Sequence, residues 1–455
     1  MGFWMLWRAP WMQARLALAS LVLWDLIVIF TSYNVIYSRR LGAWPGLTLG
    51  LLVMGLVWLG SSYLLGRYSA RSSSGLLGQK LLSLGFVVFV VLGVFVFHSW
   101  FFVVTDAGTR FRGFLVPLLT MVSSLSLAGQ LIVLRPRRRT LKWILVVTDK
   151  ERSLLEQELL NGPVNTDLIP RLFNAAEVET FLESGQHERP WSEITIAISD
   201  HSHLCDVAVE RLLSLRGQGM QIRALIDWCE IALQRVPPEL IDQRWFIATE
   251  GFSIQPGRFG WRLKRLIDVI GALLLIVLTA PLMVLVIFLI RLDDGGSIFY
   301  TQFRSGIYGE IIRIWKFRSM REDAESEGAQ WSSRDDSRVT RVGSVMRRFR
   351  VDELPQLFGV LSGELSLIGP RPERPELEID LETLIPHYRI RHWIRPGLSG
   401  WAQVNFPYGA SAEDARMKLS FDLFYIRNAG VLLDGLIILK TIRLLLSAKG
   451  AEPQT

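Results

Sequence analysis

RVDELPQLFGVLSGELSLIGPRP, residues 350–372, decides how the C-terminal part of this chain is read. Leu354, Leu357, Phe358 and Leu361 recur at i, i+3, i+4 and i+7, the spacing of one helix face, and Gly363 is a suitable stop. Pro355 is tolerated only in a first turn, which places Asp352 at about the N-cap and Glu353 just inside. Two neighbouring carboxylates would then sit at the positive end of a helix, a place that also attracts anionic phosphate. Spacing alone leaves two readings open: a reactive pair, or a cap with a neighbour that complements the dipole. After the helix, Gly369-Pro370-Arg371-Pro372 holds one guanidinium between two prolines, a stiff presentation suited to phosphate.

Upstream, YTQFRSGIYGEIIRIWKFRSM (residues 300–320) sets glycines among cations and ends in Lys316-Phe317-Arg318. Residues 334–350 add Arg334, Arg338, Arg341, Arg347, Arg348 and Arg350. Such clusters suit phosphate oxygens, although a solvated basic face reads the same. Farther back, residues 269–290 carry no charge and are long enough to cross hydrocarbon, which takes about 20 apolar residues. Pro281, just past the middle, should bend or break that helix. Arg258, Arg262, Lys264 and Arg265 precede it and Arg291, Arg304, Arg313 and Lys316 follow, so both ends carry the cytoplasmic signal. A re-entrant helix over residues 266–291 satisfies both ends; an ordinary fifth span is the alternative.

The N-terminal part holds four long apolar stretches, residues 16–38 (interrupted by Asp25), 41–66, 81–105 and 113–134. Each is long enough to span a bilayer, and the first is too long for a signal-peptide core, so a retained anchor is expected. Arg8, Arg15, Arg67, Arg71, Lys80, Arg135, Arg137, Arg138, Arg139 and Lys142 flank one side, against Arg39, Arg40, Arg110 and Arg112 on the other. The richer side belongs in the cytoplasm, with the N-terminus and everything after residue 134. Asp25 is read first as a polar contact between helices, and second as a functional charge.

Residues 142–147, 193–198 and 220–226 read as short buried strands alternating with helices over 151–160, 175–182 and 205–215, a small doubly wound sheet. Its first turn, TDKERS (148–153), lacks the glycines that a dinucleotide phosphate requires, so a packing or regulatory role is favoured. His201 and His203 read as a polar loop in preference to metal ligands. Half of the 455 residues are hydrophobic and 20% are charged, which excludes a disordered or purely soluble globular chain. Cys205 and Cys229 are too few for a disulfide framework or a four-cysteine zinc site. A net charge of +7 suits a phosphate-bearing partner, and sixteen Trp suit a membrane–water interface.

VDELPQL, SLIGPRP, KFRSM and PGLSGWAQV (396–404) resemble the signature stretches of bacterial sugar transferases, the monotopic phosphoglycosyl transferases that start exopolysaccharide and O-antigen repeats. The resemblance covers residues 258 to about 450. With its preceding spans and α/β segment, the chain is similar to the longer members, the undecaprenyl-phosphate glucose or galactose phosphotransferases. NFPYGASAEDARMKLSFDLFYIRN (405–428) looks nearest to exopolysaccharide enzymes that use UDP-glucose. Ala280-Pro281 departs from the Ser-Pro pair that many members carry.

This resemblance implies an α-helical transmembrane bundle (residues 1–140), a cytoplasmic α/β Rossmann-like domain (141–255) and an α-rich monotopic catalytic domain (256–455) with a Pro-broken re-entrant helix. It implies transfer of hexose 1-phosphate, glucose 1-phosphate first, from a UDP-sugar to undecaprenyl phosphate, with release of UMP through an aspartyl-phosphosugar intermediate. Carried over by motif, Asp352 is the nucleophile and Glu353 positions it, and both hold Mg²⁺. Lys316, Arg318 and Arg371 bind substrate phosphate, with Arg395, Asp422 and Tyr425 as further substrate-binding candidates; a structural helix contact explains Tyr425 equally well. The expected setting is the bacterial inner (cytoplasmic) membrane, multi-pass, with the soluble and catalytic domains facing the cytoplasm. Expected partners are inner-membrane lipid and a second copy in a homodimer, and no nucleic acid. Residues 431–446 should lie in the interface. A non-catalytic membrane scaffold and a glycosyltransferase that releases UDP are the competing readings.

Overall fold

The computed structural model describes residues 9–13, 15–68, 77–101, 114–133, 142–161, 169–184, 191–252, 254–293, 295–321, 338–406 and 411–446. Arg8, Arg71, Arg110, Arg112, Arg135, Arg137, Arg138, Arg139 and Arg334, which enter the charge patterns above, lie outside them. The described residues fall into two compact units, one within residues 12–140 and the other made of residues 9–11 and those within 141–455.

In the first unit, α1 (Leu16–Leu41), α2 (Leu49–Leu64), α3 (Leu77–Phe101) and α4 (Val116–Val133) pack around Val28, Leu51, Trp58, Val87 and Leu118. The expected second stretch, residues 41–66, is shortened. Gly42 ends α1 in the left-handed region, Gly46 also takes positive φ, and Thr48 caps α2 through the Leu51 N–H. Sixteen residues of α2 span about 24 Å, less than the roughly 30 Å hydrocarbon core. Among the described residues, two helices, residues 18–40 and 259–293, are long and apolar enough to cross a membrane.

Asp25 is fully buried between α1, α2 and α4. It accepts from Ser126 Oγ at 2.6 Å, Tyr68 OH at 2.6 Å and Trp58 Nε1 at 3.2 Å, with Arg67 Nη1 at 3.8 Å. The charge is an interhelical contact. Truncating it strands the buried Arg67 cation, so Asp25→Ala should cost about 3 kcal/mol and lower the melting temperature in detergent. Adding Arg67→Met should recover most of that loss; a single variant that melts like the parent would contradict this account.

The second unit begins with a four-stranded parallel sheet of β1 (Lys142–Val146), β2 (Arg171–Phe173), β3 (Ile194–Ile198) and β4 (Gln221–Ala224), in the order β2-β1-β3-β4. Helices α5 (Asp149–Asn161), α6 (Ala175–Ser184) and α7 (Asp206–Gly217) connect the strands. The three-residue β2, with exposed Arg171 at its start, carries no sequence signal. At the carboxyl ends of β1 and β3, Glu151 accepts from the Thr148 N–H at 2.9 Å and from Ser199 Oγ at 2.6 Å, and meets His201 Nδ1 at 2.9 Å. The chain's own carboxylate thus fills the first turn, where a phosphate would sit in a dinucleotide-binding sheet.

Helix α8 (Phe259–Asp293) follows, 35 residues and about 52 Å long. Helical backbone continues through Pro281, so the expected break is not an interruption of the helix; Thr279 Oγ1 donates to the Leu275 carbonyl one turn earlier. Lys264, Asp268, Ala272, Val286 and Ile290 are buried against the protein, whereas Leu274, Val277, Leu278, Leu285 and Phe288 are exposed. So much uncovered apolar surface fits lipid and is costly in water.

The hairpin β5 (Phe299–Ser305) and β6 (Ile311–Phe317) turns at Tyr308 and Gly309, both at positive φ. Then come α9 (Arg341–Arg348), α10 (Gln356–Ser362) and β7 (Ser366–Ile368), which pairs in parallel with β8 (Gly397–Ser399). Between those two strands lies α11 (Pro375–Leu384); α12 (Ala412–Asn428) and α13 (Val431–Leu446) finish the unit. The core joins Ala272 of α8, Ile312 and Ile314 of β6, and Leu357, Val360 and Leu365 around α10. Phe358, placed on the buried face by the heptad-like spacing, is instead exposed.

Candidate active site

Asp352 does not cap α10. Arg350 enters the left-handed region at φ 54°, and Val351–Glu353 form a separate 3-10 turn. Pro355, with helical φ and ψ, then precedes the first residue of α10, and no side chain caps the helix. The expected N-cap fails because the chain reverses at Arg350, which turns both carboxylates away from the helix N–H groups. Seven residues make a short helix, so charge on neighbouring side chains governs this place.

Three elements converge there. Lys316 comes from the end of β6, paired in register with Tyr300 of β5. Arg350 comes from the turn itself. Arg371 follows β7, whose exit is pressed against β8: Gly369 N–H donates to the Ser399 carbonyl at 2.8 Å, and Gly397 N–H to the Pro370 carbonyl at 2.8 Å. A Cβ at Gly397 would lie 2.1 Å from the Gly369 nitrogen, and one at Gly400 2.2 Å from the Gly369 oxygen, so only glycine permits this approach.

Glu353 is the anchor of the cluster. Its Oε1 accepts from Arg371 Nη2 at 2.7 Å and Lys316 Nζ at 3.1 Å, while Arg350 Nη1 lies 3.8 Å from Oε2. Burial works to raise its pKa, but Arg371, Lys316 and Arg350 together hold it well below the usual carboxylate range. Asp352, buried beside it, accepts no hydrogen bond among the described residues. Burial first and the Glu353 charge second push its pKa up to about 6, against the pull of Lys316, Arg347 and Arg371. Adjacent carboxylates with such unequal surroundings take different roles: one fixed by cations, the other ionised at neutral pH with its oxygens unclaimed. Among the described residues no group of three or more His, Cys, Asp or Glu could hold a metal ion.

Arg318 is buried at the end of β6, its N–H on the Ile298 carbonyl. The other three candidates sit elsewhere. Arg395 donates to the Gly363 carbonyl at 2.8 Å beyond the far end of α10 and lies over the Trp261 ring, while Arg265 donates to the Val360 and Leu361 carbonyls. Burial and the Arg265 charge lower its pKa. Asp422 is wholly inside the fold, paired with Arg391 Nη2 at 3.1 Å, and burial pushes its pKa up to about 6. Tyr425 is also buried, donating to Asp434 Oδ1 at 2.7 Å and close to the Ile368 carbonyl. Asp422 and Tyr425 both lie on the buried face of α12, and their side chains pair within the protein, with Arg391 and Asp434. Arg350 enters the sequence reading only as one of the arginines clustered over residues 334–350, and Arg391 is not singled out by sequence: it reaches its partners across 20 and 31 residues and leaves no local signal.

Residues 259–448 match a family model described as bacterial sugar transferase. Over 200 residues the chain is 47% identical to a UDP-N-acetylgalactosamine-undecaprenyl-phosphate N-acetylgalactosaminephosphotransferase of Aeromonas hydrophila, covering 44% of this chain and 47% of that protein. Over 282 residues it is 32% identical to a UDP-glucose:undecaprenyl-phosphate glucose-1-phosphate transferase of Xanthomonas campestris pv. campestris, covering 61% and 57%. It is 37% identical over 186 residues to the exopolysaccharide production protein PSS of Rhizobium leguminosarum bv. phaseoli, covering 40% of this chain and 93% of that protein. The chain spans about half the length of the first two relatives.

Proposed function

Since the chain belongs to the bacterial sugar transferases, we propose that it transfers a hexose 1-phosphate from a UDP-sugar to undecaprenyl phosphate and releases UMP. The observation that carries this reading is the buried Asp352 carboxylate, without a hydrogen-bond partner among the described residues, beside a Glu353 held by Lys316 and Arg371. An Asp352 oxygen attacks the β-phosphorus; the new O–P bond forms as the bond to the bridging oxygen breaks, and that oxygen departs with UMP. A phosphate oxygen of the lipid then attacks the same phosphorus, and the Asp352 carboxylate is restored. The acceptor is a phosphate monoester already largely ionised at neutral pH, so it needs little base. The main obstacle is repulsion between anions, which Lys316, Arg318 and Arg371 oppose while fixing the geometry.

Mg²⁺ fits this site, because that ion commonly takes one or two carboxylates together with substrate phosphates and water. Asp352 and Glu353 Oε2 would hold it, and it would supply neutralisation of phosphate charge. The exposed apolar face of α8 supports seating in the membrane beside the lipid acceptor, and the Lys and Arg bias supports a multi-pass chain with its catalytic domain in the cytoplasm, where nucleotide sugars are made.

Glucose 1-phosphate is the first reading of the cargo, and N-acetylgalactosamine 1-phosphate the second, favoured by the 47% identity over 200 residues. The protein in detergent, given undecaprenyl phosphate and separate UDP-sugars, should release UMP with one donor at least tenfold faster than with the others. UDP as the product would identify a transferase of sugar alone, and no nucleotide from any donor would favour the scaffold reading.

A further inference from the structure

The segment Gly369-Pro370-Arg371-Pro372 has an unusual problem of support. Pro370 and Pro372 have no N–H to donate, so the carbonyls are the principal main-chain handles by which the fold can hold Arg371 in place. All three successive carbonyls are held. The Pro370 oxygen accepts from the Gly397 N–H at 2.8 Å, the Arg371 oxygen from Arg391 Nη2 at 3.0 Å, and the Pro372 oxygen from Arg304 Nη1 at 3.3 Å. Of the two side chains, Arg391 is the more deeply placed: it is buried, its Nη2 also reaches Asp422 Oδ2 at 3.1 Å, and its Nη1 donates to Tyr388 OH with Glu378 Oε1 4.0 Å away. Arg391 sits in the 3-10 turn Tyr388–Trp393 and pairs with Asp422 of α12.

We propose that Arg391, locked by Asp422, is a positioning residue that sets the Arg371 guanidinium against Glu353 by holding the Arg371 carbonyl. A buried pair kept only for stability would need no carbonyl of the substrate-facing loop; here one guanidinium nitrogen serves both the carboxylate and that carbonyl. Asp422 then acts two steps from the phosphate, through Arg391 and the Arg371 main chain. The inference rests on the reading of Arg371 as a phosphate-binding residue.

A double-mutant cycle on the full-length protein tests it, with UMP release as the rate and thermal melting as the control. Arg391→Gln should lower kcat about 10²-fold through misplacement of a group near the chemistry. In the Arg371→Ala background the same change should cost less than about twofold, because the group it positions is gone. Equal losses in both backgrounds, or no loss in the parent, overturn the inference. If Arg391→Gln does not fold, Arg391→Lys replaces it in the same cycle, since an ammonium keeps the charge beside Asp422 but loses the second nitrogen held by Tyr388, and with it the fixed aim of the first at the carbonyl. An Arg371→Ala variant with the parent's rate overturns the underlying reading and this inference with it, whereas multiplicative losses overturn this inference alone.

Discussion

Asp352→Asn should abolish UMP release, with a loss of about 10⁶-fold, the scale reached when an irreplaceable nucleophile is removed. The substitution is nearly isosteric, and the Asp352 carboxylate has no hydrogen bond to lose among the described residues, so the deficit is chemical. An amide oxygen is too poor a nucleophile to displace UMP. Stability should move the other way. The folded-state pKa of Asp352 is raised to about 6, so the folded protein is stabilised by the proton at low pH and bears the full cost of the charge above that value. Without divalent ions, the variant should therefore melt higher than the parent at pH 7 to 8, with the gap closing as pH falls through 6 towards 4. Incubation with UDP-sugar alone should add one hexose phosphate to the parent, seen by intact mass, and none to the variant. Near-normal turnover in the variant, or a parent that never gains that mass, removes the covalent mechanism.

Local patterns carried far in this chain, and their failures have one cause. The runs KWILV and ITIAI announce strands because continuous apolar residues fit a sheet covered on both faces. Lys316, Asp352, Glu353 and Arg371 are legible as chemistry because charge is concentrated there beside glycine and proline. What the pattern cannot give is direction. The left-handed turn at Arg350, a residue with no special tolerance for positive φ, swings the carboxylates out of the capping position. Asp422 and Tyr425 stand out in the sequence as polar residues in a distinctive stretch, but nothing local shows that they lie on the buried face of α12 or what they pair with there. Their partners Arg391 and Asp434 sit on other elements, and only folding brings them together.

The α/β domain is tied to the same helix. Arg416 of α12 pairs with Glu158 of α5 at 2.7 Å and with Glu239 at 3.2 Å; Arg427 pairs with the buried Glu230 at 2.8 Å. Val236 N–H donates to the Ser420 carbonyl, and Phe252 N–H to the Arg427 carbonyl. Asp422 lies between these attachments. The helix that carries the support for Arg391 is therefore clamped from the α/β side at both ends.

Arg371→Lys should slow UMP release by about 10²-fold, the size of one lost donor in an electrostatic site, although the charge is kept. Arg371 reaches Glu353 Oε1 at 2.7 Å from a loop fixed at three carbonyls, so its position is set by the main chain, and the planar fork can bridge a carboxylate and a phosphate. An ammonium is a point charge on a flexible stem and would compete with Lys316 for the same oxygen of Glu353. Two consequences separate a lost fork from general damage. The melting temperature should stay near the parent's, because lysine keeps a positive charge beside the buried Glu353 and Lys316 still pairs with it. The fall should lie mainly in kcat, with little change in KM for the UDP-sugar, since the fork acts on charge that redistributes as the bond to UMP breaks. A Lys variant that turns over like the parent would show that charge alone suffices at this position. A rise confined to KM would place Arg371 in ground-state binding.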